Sequence, residues 1–158
     1  MAAATHSRRY PIGPQLDEYG ASFRVWAPEG HSVEMVLEES GEAHPLTREE
    51  TGHFSIHLPN VFAGTLYRFR LDHSETLYPD PASHYQPDGP HGPSQLVDHN
   101  SFKWHDQDWR GISPAGQVLY EMHIGTFTHE GTWAAAASHL PYLKELGITC
   151  IEMMPVAD

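Results

Sequence analysis

The sequence predicts a mainly β chain in which a β-sandwich comes first and a single β-α-β unit comes last. Apolar and polar side chains alternate in short stretches up to residue 75, prolines crowd residues 76–117, and residues 118–158 hold two apolar stretches around a helical pattern. Alternation with a period of two indicates half-buried strands, whereas strand, helix and strand in succession predict parallel pairing. We therefore expect three segments, 1–75, 76–117 and 118–158.

Four strands are predicted before residue 75, and turn residues such as Pro28, Gly30, Gly41 and Pro45 separate them. Strands that recur about every ten residues between glycine and proline turns are typical of two packed antiparallel sheets. The predicted strands are residues 21–27, 31–38, 54–58 and 65–71, with apolar faces at Phe23, Val25 and Ala27, at Val33, Met35 and Leu37, at Phe54, Ile56 and Leu58, and at Leu66, Phe69 and Leu71.

Residues 76–117 are predicted to form an ordered connector. Proline lacks an N–H donor and fixes φ, so the prolines of this segment exclude a continuous helix or a central strand. A flexible linker would lack large apolar side chains. The aromatic residues of this segment are therefore expected to be buried and to hold it in place; they are Tyr78, Tyr85, Phe102, Trp104 and Trp109.

The β-α-β unit is predicted to begin with a strand at 118–124 and a loop at 125–131. Thr132 can cap a helix, Pro141 should divide that helix in two, and Gly147 should end it. A second strand is expected at 148–156, and a right-handed crossover should join the two parallel strands. The apolar positions of the helical segment are Trp133, Ala136, Ala137, Leu140, Leu143 and Leu146.

Composition narrows the classes of function. The formal net charge is -12, from 9 basic and 21 acidic residues, which disfavours a nucleic-acid partner. The single cysteine, Cys150, is expected to be a small buried residue, and one cysteine fits a reducing, cytoplasmic location. No stretch is apolar enough to span a membrane, and residues 1–9 lack the apolar core of a signal peptide.

Several motifs resemble the alpha-amylase family of glycoside hydrolases. Phe23–Pro28 is similar to the start of the immunoglobulin-like module that precedes branching and debranching enzymes of this family. The remaining matches are Tyr120–Thr128, Glu130–Thr132, Leu140–Thr149 and Ile151–Val156, which resemble the first strand, first helix and second strand of its catalytic barrel. The resemblance implies an immunoglobulin-like β-sandwich followed by the first β-α-β unit of a truncated (β/α)8 barrel.

Within the family, the connector resembles trehalose-releasing members most closely, through Pro79–Ser83, Gln86–Gly89, His91–Ser94 and Val97–Asp98, together with Gly125–Thr128. This resemblance implies a retaining hydrolase that cleaves the alpha-1,4 bond joining trehalose to a maltooligosaccharide. Its catalytic carboxylates follow later barrel strands, so the resemblance places no catalytic residue in this chain, which is expected to be inactive alone. The alternatives are a branching or debranching enzyme, or a carbohydrate-binding module without catalysis.

Three side chains are candidates for ligand contact. Glu121 and His123 share one face of the first predicted barrel strand, where they either support the substrate pocket or form a structural hydrogen-bonded pair. Trp26 could stack on a sugar ring, although a tryptophan in an alternating strand is more often a core residue. No spacing of histidines indicates a metal site, and His91, His99 and His105 are expected to be solvated or capping residues. No cofactor is implied.

The expected partner is an alpha-glucan or maltooligosyltrehalose, without nucleic acid or membrane. The two strands at 118–124 and 148–156 would lack the neighbours that a closed barrel provides. Their edges and apolar faces should therefore drive self-association or leave a mobile tail.

Overall fold

Two antiparallel sheets build the first part of the chain, and they share one core. The computed structural model describes residues 8–156, which divide into two units, one ending at Lys103 and the other beginning at Trp104. In the first unit, one sheet has the order β1-β2-β6-β5, and the other has the order β4-β3-β7-β8 with β9 also on β7. The strands of this unit are β1 (Gly13–Leu16), β2 (Gly20–Trp26), β3 (Val33–Leu37), β4 (Ala43–Pro45), β5 (Thr47–Arg48), β6 (His53–Pro59), β7 (Leu66–Leu71), β8 (Leu77–Tyr78) and β9 (Ser94–Gln95).

The core of this unit lies between the inner faces of the two sheets. Phe23 of β2 and Phe54 of β6 come from the first sheet, and Met35 of β3 and Tyr67 of β7 come from the second. The rings of Phe23 and Tyr67 meet edge to face with centroids 4.9 Å apart, so aromatic packing joins the sheets directly. The four predicted strands are confirmed, with ends that differ by at most two residues.

The faces of β7 differ from the prediction in one respect. Tyr67 and Phe69 are buried, whereas Arg68 and Arg70 point outward to ion pairs with glutamates of β3 and of the turn that follows it. Leu66, which was assigned to the apolar face, is only half-buried. The buried face of β7 therefore includes Tyr67, although its hydroxyl makes it resemble a surface residue. A buried hydroxyl requires a hydrogen-bond partner.

The partner of the Tyr67 hydroxyl lies in the connector. Tyr67 Oη donates to Asp80 Oδ2 at 2.7 Å, the Ala82 amide donates to Asp80 Oδ1 at 2.8 Å, and Ser94 Oγ accepts from the Asp80 amide at 2.9 Å. Tyr67, Asp80 and Ser94 are all nearly inaccessible to solvent. This network fastens the connector to β7, and Leu96 adds a buried apolar contact just beyond it.

The expectation that aromatic side chains anchor the connector is wrong. Its five aromatic residues are all exposed, from 46% for Tyr78 to 69% for Trp109. A proline-rich backbone cannot supply the regular hydrogen bonds that would fix those rings over a core. Two short strands, a buried carboxylate and one leucine hold residues 77–96 instead.

The second unit is a parallel strand pair with helices between its strands. β10 (Leu119–Met122) pairs in parallel with β11 (Cys150–Met153), in agreement with the β-α-β prediction. The helices are α1 (Ile124–Phe127), α2 (Trp133–Ser138) and α3 (Leu140–Glu145). Thr132 caps α2 through its hydroxyl, which accepts from the Ala135 amide at 3.2 Å.

Several details of the second unit correct the sequence prediction. Residues 124–127 form a helical turn rather than the end of the predicted strand and the start of the predicted loop, and the His123 side chain caps this turn by accepting from the Gly125 amide. Of the six apolar helical positions, only Ala136 and Leu143 are buried, and the other four are exposed. Cys150 is half-buried rather than buried. The small core of this unit consists of Met122, Ile124 and Ala136.

Over residues 8–156, no helix has the length and apolar character needed to cross a bilayer.

Replacing Tyr67 by phenylalanine should destabilise the first unit by about 1–3 kcal/mol, because the buried Asp80 carboxyl loses a donor. Burial raises the pKa of the Asp80 carboxyl, whereas the hydrogen bonds from Ala82 and Tyr67 lower that pKa and so favour the charged carboxylate. The loss should therefore be larger at neutral pH than at acidic pH. Urea unfolding of the wild type and the variant, at neutral and at acidic pH, measures this loss of stability. Tyr78→Phe, at an exposed connector tyrosine, is the control, and equal effects of the two substitutions would contradict the prediction.

Candidate functional site

Trp26 lies on the solvent face of the first sheet and not in the core. Its side chain is 59% exposed, so the interpretation of Trp26 as a core residue is wrong. The reason is the strand period, because Phe23 and Val25 occupy the inward positions of β2 and leave the even-numbered positions outside. Across the sheet, Trp26 lies opposite His53 of β6. An exposed indole beside a strand of polar residues is a candidate ligand contact.

A hydrogen-bonded series of side chains runs beside Trp26. Arg24 Nε and Nη2 contact the Glu49 carboxylate at 2.9 and 2.6 Å, which is a two-pronged ion pair. Arg24 Nη2 also lies 3.5 Å from Thr51 Oγ1, which in turn lies 2.8 Å from His53 Nδ1. We call Arg24, Glu49, Thr51 and His53 the polar ladder. The β5–β6 turn supplies two of its members, Glu49 and Thr51.

Gly52 brings that turn close to Trp26. The Gly52 carbonyl accepts from the Ala27 amide at 3.1 Å. A Cβ atom at Gly52 would lie 3.0 Å from Pro28 Cβ and 3.6 Å from Trp26 Nε1, in a backbone conformation with a φ of +80°. Glycine is therefore required here both for the conformation and for the close approach to Pro28. The turn at Gly52 therefore lies close to the indole edge of Trp26.

The electrostatics of the ladder favour the charged forms of both partners. The hydrogen bonds from Arg24 lower the pKa of Glu49 to about 2, more than burial raises it. The same bonds raise the pKa of Arg24. Both side chains are partly shielded, with 18% and 31% of their surfaces exposed, so solvent screens the pair only in part. The ladder is therefore an ordered surface, held by charge, at neutral pH.

The two other candidate residues lie at the carboxyl end of β10. Glu121 is exposed within the strand, and His123 follows it as the N-cap of α1. His123 Nδ1 accepts from the Gly125 amide at 3.1 Å, which leaves Nε2 as the protonated ring nitrogen in the neutral tautomer. No hydrogen bond joins Glu121 to His123 among residues 8–156. A small cavity of about 390 Å³ lies beside His123, and its other lining residues are Ile124, Gly125, Gly131, Trp133, Pro155 and Val156.

The parallel register brings together two carboxylates that the sequence did not pair. Glu121 of β10 lies opposite Glu152 of β11, and both side chains are exposed. Neighbouring strands lie about 4.8 Å apart, so the two like charges repel each other unless a donor or a cation lies between them. Neither alternation nor spacing could reveal this pair, because only the pairing register defines which residues face each other.

Among residues 8–156, the other histidines form no metal centre of three or more ligands. Within the described part of the chain, no three His, Cys, Asp or Glu side chains are placed to hold a metal ion. His91, His99 and His105 are exposed, and His99 Nε2 lies 2.9 Å from His84 Nδ1. Burial and the nearby His99 lower the pKa of His84. The close histidine contact is therefore compatible with a single shared proton and not with two charged rings.

Comparison with known proteins connects both units to glucan-active enzymes. Residues 11–87 match the family described as carbohydrate-binding module 48 (isoamylase N-terminal domain). The chain is 43% identical over 147 residues to malto-oligosyltrehalose trehalohydrolase of Saccharolobus solfataricus, which covers 93% of this chain and 26% of that protein. It is 46% identical over 154 residues to the Deinococcus radiodurans protein of the same name, which covers 96% of this chain and 25% of that protein.

A solved structure is also similar to nearly the whole chain. A candidate alpha amylase from Salmonella typhimurium superposes with a TM-score of 0.86 and 40% identity, covering 94% of this chain and 25% of that one. The chain therefore spans about a quarter of the length of the relatives it matches. Over most of its length it is similar to the N-terminal portion of these trehalohydrolases, and residues 11–87 match the carbohydrate-binding module.

Replacing Glu49 by glutamine should lower stability at neutral pH by about 1–2 kcal/mol, after allowance for solvent screening of the ion pair. The Glu49 pKa is lowered from 4.5 to about 2. A lowered carboxyl pKa stabilises the folded state above the ordinary value, and this contribution disappears as the pH falls towards the folded value. The difference between wild type and variant should thus shrink between pH 4.5 and about 2. Urea unfolding over that range tests this.

The matched control for this prediction is Glu50→Gln, since Glu50 is the adjacent residue and is exposed. It should leave the unfolding midpoint unchanged. A difference between wild type and Glu49→Gln that stayed constant down to pH 2 would show that the ion pair does not account for the stabilisation.

Proposed function

We propose that this chain is the N-terminal part of a retaining alpha-glucan hydrolase that releases trehalose from maltooligosyltrehalose by hydrolysis of an alpha-1,4 bond. The observation that carries the proposal is the similarity of nearly the whole chain to the corresponding part of two malto-oligosyltrehalose trehalohydrolases, at 43% and 46% identity. The first unit is then an immunoglobulin-like module of the carbohydrate-binding type. This assignment places the parent protein in trehalose biosynthesis, and the single cysteine supports a cytoplasmic location.

The parallel pair is proposed to be the start of a (β/α)8 barrel. Support comes from the parallel register of β10 and β11 and from the helices that connect them. Parallel strands of this kind are covered on both faces in complete proteins. Here the exposed apolar residues of the unit match surfaces that further strands and helices would cover; they are Val118, Leu119, Leu140, Leu146, Met153, Met154 and Val156.

Glu121 and His123 are proposed to support the substrate pocket of that barrel. Ligand sites of such barrels lie at the carboxyl ends of the strands, which is where His123 and the adjacent cavity are found. His123 is fixed by its bond to the Gly125 amide, so its Nε2 atom can donate to a substrate hydroxyl without further ordering. Glu121 can accept a hydrogen bond from the same substrate or from a neighbouring strand.

The chemical step itself is assigned to residues beyond this chain. Retaining hydrolysis needs one carboxylate that attacks the anomeric carbon and one carboxylic acid that protonates the leaving oxygen, roughly 5 Å apart. No cofactor is needed. Glu121 and Glu152 lie opposite each other on adjacent strands with both side chains exposed, and we assign neither of them to this pair.

Two alternatives compete with the proposal. A branching or debranching enzyme would share both units, because the isoamylase-type module also precedes enzymes of that kind. A binding module without catalysis would have no use for the parallel β-α-β unit. We favour the hydrolase over the former on sequence similarity, and over the latter on the presence of β10, β11 and the helices between them.

Purified alone, this chain should release no trehalose from maltooligosyltrehalose, whereas the full-length parent protein should release it. The reason is that the attacking carboxylate and the acid lie outside the chain. Chromatographic detection of free trehalose after incubation measures the difference, with amylose as the second substrate. Trehalose released by the isolated chain, or alpha-1,6 branches formed from amylose by the parent protein, would refute the assignment.

The isolated chain should self-associate through its second unit, because the apolar surface of that unit lacks the neighbours of a closed barrel. Sedimentation velocity should therefore give a weight-average mass that rises with concentration. Leu119→Lys, at a side chain that is 58% exposed on β10, should reduce the association. Phe62→Lys, at a 52% exposed residue of the first unit, is the matched control. A monomer with strongly protected amides throughout 118–156 would contradict the prediction.

A further inference from the structure

We propose that His84 and His99 form a surface site for one divalent late transition-metal ion, in which each histidine supplies one ring nitrogen and water completes the coordination. His84 lies in the connector between β8 and β9, and His99 follows β9. The ion joins two parts of the chain that are 15 residues apart in sequence. Both histidines belong to the first unit, so the site does not depend on the function proposed above.

The distance between the two ring nitrogens fits shared coordination. His84 Nδ1 and His99 Nε2 are 2.9 Å apart. Imidazole nitrogens bind such ions at about 2.0–2.1 Å, so two of them at right angles around one ion lie about 2.9 Å apart, and at the tetrahedral angle they lie about 3.3 Å apart. An ion can therefore take the place of the proton between the rings with little movement of either side chain.

The orientation of the two rings fits as well. Their planes are inclined by 63°, and their centroids are 4.7 Å apart. Two imidazoles joined in line by an N–H···N bond of the same length would have centroids farther apart, because each nitrogen lies a ring radius away from its centroid. The rings are therefore set at an angle to each other, as two imidazoles on one ion are. With the ion bound, both rings are neutral and carry their protons on His84 Nε2 and His99 Nδ1.

The surroundings of the pair leave room for water and contain charges of both signs. Both histidines are exposed and line a cavity of about 160 Å³, which has space for several water molecules. Asp98 and Arg9 line the same cavity, and the Arg9 guanidinium lies over the Tyr10 ring at 5.3 Å from its centroid. The Asp98 carboxylate offsets the charge of Arg9, and the net charge of the chain, -12, favours a cation.

The ligand set selects the kind of ion. Imidazole suits Cu²⁺, Ni²⁺ and Zn²⁺, with Cu²⁺ bound most tightly, whereas Mg²⁺ and Ca²⁺ require oxygen ligands. Among residues 8–156, no third His, Cys, Asp or Glu side chain is placed to complete the set. The ion therefore exchanges with solvent and acts as a clip between two loops, and it is not needed for the unit to fold.

Paramagnetic broadening by Cu²⁺ tests the site without any substitution. A small fraction of one equivalent of Cu²⁺, added to the isotope-labelled chain without a histidine tag, should broaden the amide resonances around His84 and His99 first. The resonances around His31 and His129, which are also exposed, should keep their intensity at this ratio. Broadening that is centred on any other histidine would overturn the proposal.

Calorimetric titration with Ni²⁺ measures what each histidine contributes. His84→Asn and His99→Asn should each weaken binding by at least about tenfold, because only one imidazole remains. His91→Asn, at an exposed histidine of the same connector, is the matched control and should leave the dissociation constant unchanged. Far-UV circular dichroism verifies that each variant is folded. An unchanged dissociation constant in either His84→Asn or His99→Asn would overturn the pair as the site.

Hydrogen exchange tests the clip itself. Saturating Zn²⁺ should slow amide exchange in residues 82–99 of the wild type, because the ion opposes separation of the two loops that it joins. The same addition should have no effect on His84→Asn, and Mg²⁺ should have no effect on either protein. Exchange rates that stay the same in the wild type at saturating Zn²⁺ would refute the clip.

Discussion

Burial of the Tyr67 hydroxyl determines how the connector is attached to the sandwich. The tyrosine ring fills the centre of the core against Phe23 and Phe69, so its Oη atom reaches the inside of the unit, where an unpaired hydroxyl would be costly. Asp80 meets this requirement at 2.7 Å and is itself fixed by the amide of Ala82. Burial and the adjacent carboxylate raise the pKa of Tyr67, so its hydroxyl remains a donor. The first turn of the connector is therefore placed by a core residue.

The same core explains why a tryptophan lies outside it. Phe23, Val25 and Tyr67 occupy the space between the sheets, and the pleat of β2 then sends Arg24 and Trp26 to the opposite face. There Arg24 forms an ion pair with Glu49, and the register of β2 and β6 places His53 opposite Trp26. An arrangement of polar and aromatic side chains on the outer face thus follows from apolar packing on the inner face.

The alternation of apolar and polar residues, together with the turn residues, was sufficient to predict the strands with long apolar faces, the parallel pair and the cap at Thr132. Each of these features depends on residues that are close in sequence. These patterns failed where a residue's surroundings come from distant parts of the chain. The sequence pattern left Tyr67 out of the apolar face of β7, since nothing near it in sequence indicates its partner Asp80. The connector's aromatic rings were assigned inward because composition cannot tell which surface is available to cover them. The pairings of Arg24 with Glu49 and of Glu121 with Glu152 likewise depend on turns and register.

The pair of carboxylates on β10 and β11 constrains which further strands could pack beside them. Two like charges on adjacent parallel strands are tolerated at low cost while both face water, as Glu121 and Glu152 do here. If further strands closed a barrel and the pair pointed into it, the loss of water would make the repulsion costly unless a neighbouring strand supplied an arginine, a lysine or a hydrogen-bond donor. A closed barrel would therefore require a basic or donor side chain facing this pair. The interior partners of Glu121 and Glu152, rather than the apolar surface alone, would then determine which strands can pack beside β10 and β11.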